Sequence, residues 1–162
     1  MSGMEFVTVP FDHPDASKLN DLVQQEYHER YGDGGDRTVL DPGMFAPPNG
    51  LFLVVYDGLG RPVGSGGWRA QDCEEEGYSP GDAELKRMFV VREARRRGLS
   101  RLILARLEED ARAAGRRRMV LETGDQQPEA IALYRSSGYL PAPRKFGYYR
   151  CHESSICFAK QL

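Results

Sequence analysis

Residues 95–100 read Arg-Arg-Arg-Gly-Leu-Ser, and an apolar run with helical spacing follows them. Guanidinium groups gathered just before a glycine at a helix start can hold a phosphate. A strand that enters a glycine-bearing turn and then a helix leaves backbone N–H groups without intrahelical partners, and the helix dipole adds roughly half a positive charge there. Gly98 lets an anion approach the backbone with no Cβ in the way, Ser100 offers a hydroxyl, and Arg95, Arg96 and Arg97 supply charge. The same residues also suit a nucleic-acid grip or an ordinary solvated surface. A second triplet, Arg116, Arg117 and Arg118, stands at the far end of the same helix, where positive charge complements the dipole, and it opens the next strand.

Other reactive side chains form no pattern of their own. His13, His28 and His152 are scattered without metal-ligand spacing, so no metal site is expected and each reads as structural or surface. Cys73, Cys151 and Cys157 are odd in number and contain no CxxC pair, which argues against a disulfide framework or a zinc site and fits a reducing cytoplasm. Cys151 and Cys157 read as ordinary buried thiols rather than nucleophiles.

The elements that must position these residues follow from periodicity. "EFVTV" at 5–9 predicts a strand, and Leu19, Leu22, Val23 and Tyr27 recur at helical spacing, with Asp15 or Ser17 to cap the helix and Gly32 to end it. The Gly-, Pro- and Asp-rich segment 32–49 predicts a loop with at most one short turn. Two apolar runs around "DGLG" predict a hairpin with strands at 50–56 and 62–70. The acidic stretch "QDCEEEGYSPGD" reads as a solvated hairpin loop. Then come the strand "AELKRMFVV", a helix over 98–114 with Leu99, Leu102, Ile103, Leu107 and Ala111 inward, and the strand "RRRMVLET". A helix from Pro128 to Gly138 and a closing strand "SSICFAKQL" complete a mixed α/β or α+β sheet covered by helices, a single domain over 1–162.

Composition narrows the partners. A net charge of −2 over 162 residues gives no general basic field, so any phosphate grip is local and neither nucleic acid nor an anionic membrane is an expected partner. The first residues lack a basic start followed by an apolar core, and no segment is long and apolar enough to span a bilayer, which predicts a cytoplasmic protein.

Two longer patterns carry a resemblance. "AELKRMFVVREARRRGLSRLILARLEE" resembles motif A of the GNAT acyltransferase superfamily, a Glu-bearing strand followed by an [Arg/Gln]-x-x-Gly-x-[Gly/Ala] loop and a helix. Arg95, Gly98 and Ser100 occupy the loop positions, with Ser100 where Gly or Ala is usual. "QPEAIALYRSSGYLP" resembles motif B through Ala130, Tyr134, Gly138 and Tyr139, with Gln127 where Asn is usual. The resemblance covers 83–140 and implies a central, mostly antiparallel mixed sheet whose fourth and fifth strands splay apart. Acetyl-CoA would lie in the gap, its pantetheine on backbone groups of Met88, Phe89 and Val90 and its pyrophosphate on Arg95, Arg96, Arg97, Gly98, Leu99 and Ser100, with Gln127 and Tyr134 also at the cofactor.

The implied reaction is N-acetylation of a small primary amine by direct attack in a ternary complex. An ammonium has no lone pair, so a base is useful, and the resemblance assigns that role to Glu84. Tyr134 is the implied acid to the departing CoA thiolate, since a phenol carries its proton at pH 7. No covalent acyl-enzyme is required. Phe146, Tyr148 and Tyr149, with the loops at 32–49, 71–82 and 141–153, are expected to shape the acceptor pocket. A homodimer through the terminal strands is expected by family analogy. The alternatives are a non-catalytic acyl-CoA-binding or sensing module, and a nucleic-acid accessory protein that uses both arginine triplets.

Overall fold

The computed structural model describes residues 3–32 and 35–162. Residues 1 and 2, and residues 33 and 34 of the predicted 32–49 loop, lie outside the described residues. Seven strands form one sheet: β1 (Glu5–Thr8), β2 (Gly50–Tyr56), β3 (Pro62–Gln71), β4 (Asp82–Val90), β5 (Arg118–Gly124), β6 (Leu140–Pro141) and β7 (Ser155–Gln161). Their spatial order is β1-β2-β3-β4-β5-β7-β6, and every neighbouring pair is antiparallel except β4 with β5. That exception needs a crossover, and helix α2 (Leu99–Ala113) supplies it.

Alternation along the strands divides the core between two faces. Leu53 and Val55 of β2, with Met119 and Leu121 of β5, join α2 in the larger cluster, while Val54 packs on the other face with Ala16 and Leu19 of helix α1 (Pro14–Tyr31). Leu99, Ile103, Leu104, Leu107 and Ala111 of α2 are buried, and each fully buried Leu or Ile contributes roughly 1.5–3 kcal/mol. Leu102, expected in this stripe, is 38% exposed on its flank, and Leu104 takes its place. Leu22 of α1 is likewise surface-lying at 37%. Trp68 anchors the sheet to α2 by donating Nε1–H to Asp110 at 2.8 Å.

The caps explain where the helices stop. Gly32, at φ 71°, closes α1 in the left-handed conformation, and its N–H reaches the His28 carbonyl. At the start of α1 the cap is His13, whose Nδ1 accepts from the Asp15 N–H, rather than Asp15 or Ser17. The third helix, α3 (Pro128–Ser136), begins with Pro128, whose missing N–H costs nothing in a first turn.

Two loops differ from expectation. The acidic segment is solvated at Glu74–Glu76, yet Tyr78 within it is fully buried against Phe146 and Val120. The two-residue β6, too short for a periodicity signal, pairs with the outer edge of β7. Among the described residues no helix is long and apolar enough to cross a membrane.

Candidate functional site

The parallel pairing of β4 with β5 covers only Asp82↔Arg118, Ala83↔Met119 and Glu84↔Val120. Below that point the strands are clamped. Arg118 forks onto Asp82 with Nε at 2.8 Å and Nη2 at 2.7 Å, and Arg116 reaches the Asp82 carbonyl at 2.8 Å and Asp72 at 2.8 Å. The second triplet is thus mainly a strand clamp and not a helix-end counter-charge, because both guanidinium groups turn back to β4.

Above Glu84 the strands part, and a bulge is the cause. In the β3–β4 register Gly67 faces Lys86 and Ser65 faces Phe89, so Arg87 and Met88 both stand opposite Gly66. Arg87 takes φ 58°, unusual for a side-chain-bearing residue, and bends β4 away from β5. Gly66 makes room: a Cβ there would meet Met88 Sδ at 2.8 Å and Ile103 at 3.1 Å.

The resulting cleft has Leu85–Met88 on one wall and Leu121–Gly124 on the other. Tyr27 and Tyr31 of α1, Gln127, Ala130 and Tyr134 of α3, and Tyr149 and His152 of the late loop close it in. Gly124 passes directly beneath the Tyr31 hydroxyl, with no room for a Cβ. Tyr134 packs on Tyr139 and Phe158 at centroid separations of 5.8 and 6.5 Å, and burial alone raises its pKa, so its phenol keeps its proton at neutral pH.

Carboxylates divide sharply across the clamp. Glu84 does not line the cleft. It is 3% exposed, receives Arg69 Nε at 2.8 Å on one oxygen and Tyr78 Oη–H at 2.7 Å on the other, and lies behind the closed end. Glu122 does line the cleft, on the same sheet face two residues beyond the Val120 that pairs with Glu84. Burial raises its carboxyl above the ordinary 4.5; Lys86 opposes that rise and Asp36 adds to it. For Asp36 burial acts upward, but Lys86, the hydrogen bonds from Thr38 and then Arg87 outweigh it and hold the carboxyl low.

The first arginine triplet also divides. Arg95 donates Nε–H to the Val90 carbonyl at 2.8 Å and Nη2–H to Glu26 at 2.8 Å, and its guanidinium lies 5.6 Å from the Phe89 ring centroid. It ties β4 to α1, and the Val90 carbonyl is thereby occupied. Arg96 and Arg97 are exposed beside Gly98, which caps α2 at φ 75° with nothing within 4 Å of its Cβ position. No side chain caps this helix start, so its first N–H groups face outward unpartnered by a cap. Leu99 is a core residue, 2% exposed, and Ser100 is half-buried.

Of the late aromatics, only Tyr149 lines the cleft, where its hydroxyl accepts from the Arg37 N–H at 2.6 Å. Phe146 is in the core beneath the sheet and Tyr148 is exposed, because the loop turns at Gly147. Cys157 is buried as expected, but Cys151 is exposed. Sequence reasoning passed over Lys86, Arg87, Asp36 and Glu122, and it read His152, which lines the cleft, as structural or surface. The signal available for Glu122 was a carboxylate directly after the apolar run Met119, Val120 and Leu121 in a strand next to a parallel partner, where both faces are normally covered.

Residues 16–139 match the sequence profile of the Acetyltransferase (GNAT) family. The chain belongs to the GNAT family of acetyltransferases. An "IAA acetyltransferase" of Azospirillum brasilense is 41% identical over 152 residues, which cover 90% of this chain and 94% of that one. A Klebsiella pneumoniae crystal structure assigned to the acyl-CoA N-acyltransferases superposes with a TM-score of 0.79 at 26% identity, covering 98% of this chain and 97% of the other. A GNAT acetyltransferase of Elizabethkingia anophelis, solved with acetyl-CoA bound, superposes with a TM-score of 0.68 at 14% identity over the full length of both chains. In GNAT terms the splayed strands are β4 and β5, as the motifs imply.

Proposed function

We propose that this GNAT acetyltransferase moves an acetyl group from acetyl-CoA to a primary amine of a small molecule by direct attack within the β4–β5 cleft. The parting of β4 from β5 beyond Glu84 carries the reading: it leaves strand backbone beside the cleft, next to an uncapped helix start. Acetyl-CoA supplies the activated acyl group. The α2 N–H groups around Gly98, with exposed Arg96 and Arg97, suit its pyrophosphate, and backbone groups of Met88 and Phe89 suit its pantetheine arm. Gln127, at the start of α3, lines the same cleft and suits that arm as well.

The proton chemistry falls to two side chains. Glu122 is better placed than Glu84 to relieve the acceptor ammonium of its proton, because Glu122 borders the cleft whereas Arg69 and Tyr78 hold both oxygens of Glu84. A raised carboxyl pKa brings a base closer to the pH at which it works. Tyr134, protonated and on the cleft wall, can protonate the departing thiolate.

The test pairs calorimetry of acetyl-CoA binding with an amine-panel screen for CoA release and mass spectrometry of the products. Binding and acetylated products are expected. Gly98→Val should weaken acetyl-CoA at least about tenfold, since a branched side chain is strained at positive φ and would stand over the anion site. Tight binding without any acetylated product would favour a sensing module instead.

A further inference from the structure

A buried polar atom on the cleft wall, Arg87 Nε on β4, has no hydrogen-bond partner among the described residues. Arg87 is 9% exposed, and an arginine cannot shed its proton to ease that burial. Its nearest carboxylate is inadequate. Asp36 Oδ2 lies 3.7 Å from Arg87 Nε but 3.2 Å from Lys86 Nζ, so one carboxylate serves two cations and the closer contact goes to the lysine. Burying a guanidinium is costly unless planar acceptors engage its fork of N–H groups. The bulge that opens the cleft is what places Arg87 there.

The facing wall carries the opposite sign. Glu122, on β5, borders the same cleft, and the Ser155 hydroxyl stands on the strand next to it, with Gly124 and Ser155 opposite each other in the β5–β7 register. The cleft therefore offers an under-paired cation on one wall and, on the other, a carboxylate with the Ser155 hydroxyl beside it. We propose that the acceptor is an amino acid or a similar zwitterion, its carboxylate held by the Arg87 guanidinium and its amine directed to Glu122 and Ser155. A guanidinium and a carboxylate match as two parallel hydrogen bonds, which a neutral amide cannot reproduce. A polyamine would bring a second ammonium toward Lys86 and Arg87 and be repelled.

This inference rests on the transferase reading, and the experiment separates the two. Matched acceptors that differ only in carboxylate against carboxamide are compared by kcat/KM, and the corresponding N-acetyl products are titrated into the enzyme–CoA complex by calorimetry. The carboxylate member should lead by tenfold or more in both measurements, and Arg87→Met should bring both ratios toward one. Arg87→Lys, which keeps the charge and loses the fork, should retain part of the preference and serves if the Met variant fails to fold. Equal use of both members, a preference for polyamines, or equal losses for both members in the variant would overturn the assignment. Should acetyl-CoA bind while neither member is acetylated, the transferase reading falls, and the calorimetric ratio alone decides for or against the Arg87 site.

Discussion

The lower and upper halves of the β4–β5 pair contain similar residues put to different uses. In the lower half, Asp82, Glu84, Arg69, Arg116 and Arg118 satisfy one another: each carboxylate has a guanidinium at 2.7–2.8 Å and the strands stay zipped. In the upper half, Lys86 and Arg87 share Asp36, Glu122 borders an open cleft, and Arg87 Nε goes without a hydrogen bond. Polar groups that complete each other build the scaffold, and those left incomplete by the bulge are free to meet a ligand. The contrast also sorts the two arginine triplets, since Arg116 and Arg118 are spent on the clamp while Arg96 and Arg97 point to solvent.

The largest effect should come from breaking the clamp. Asp82→Ala strands the partly buried Arg118 guanidinium and should cost about 3–5 kcal/mol in denaturant unfolding. A loss below 1 kcal/mol would show that the zipped half is not a clamp.

The next test exchanges the two glutamates. Glu122→Gln should lower kcat/KM by roughly 10²–10⁴, the range for removing a general base, with no loss of stability at neutral pH. Glu84→Gln should instead lower stability by about 3 kcal/mol, because Arg69 keeps its buried charge without a counter-ion. The reverse pattern would return the base to Glu84. The pH signature follows from the raised Glu122 carboxyl. The folded protein holds that proton more tightly than the unfolded chain, so this group favours folding at low pH. That contribution is lost as pH rises from the ordinary 4.5 through the raised value, and Glu122→Gln should remove this slope from unfolding free energies measured across the acid range. The acid limb of kcat/KM should lie above the ordinary carboxyl range for the same reason.

A smaller effect is expected at Tyr134. Replacement by Phe keeps the packing on Tyr139 and Phe158 and removes the proton donor, so kcat should fall about 10²-fold while acetyl-CoA affinity holds. Weakened acetyl-CoA binding would make it a cofactor contact alone.

The smallest effect concerns the exposed arginines. Arg96→Ala with Arg97→Ala should weaken acetyl-CoA only a few-fold, and less at high salt, because solvent screens exposed charges. Arg116→Ala with Arg118→Ala should leave affinity nearly unchanged and lower the melting temperature. Equal affinity losses for both pairs would erase the distinction between the triplets.

Local signals in the chain determined the order of strands and helices, the hairpin at 50–70, the glycine turn that starts α2 and the pairing of motif A with motif B. Periodicity and glycine placement act over a few residues, so one sequence displays them. The parting of β4 from β5 was also legible, through the family resemblance of those motifs. What only the tertiary structure decided was which charged residues are spent and which are available. Glu84 meets Arg69 and Tyr78, and Arg95 meets Glu26, across separations of 6 to 69 residues. Such partners are chosen by sheet register and by the Arg87–Met88 bulge, and a bulge shifts every later side chain without leaving a periodic trace. Glu84 and Glu122 are both glutamates on strands, and three-dimensional packing alone puts one behind the clamp and the other at the cleft.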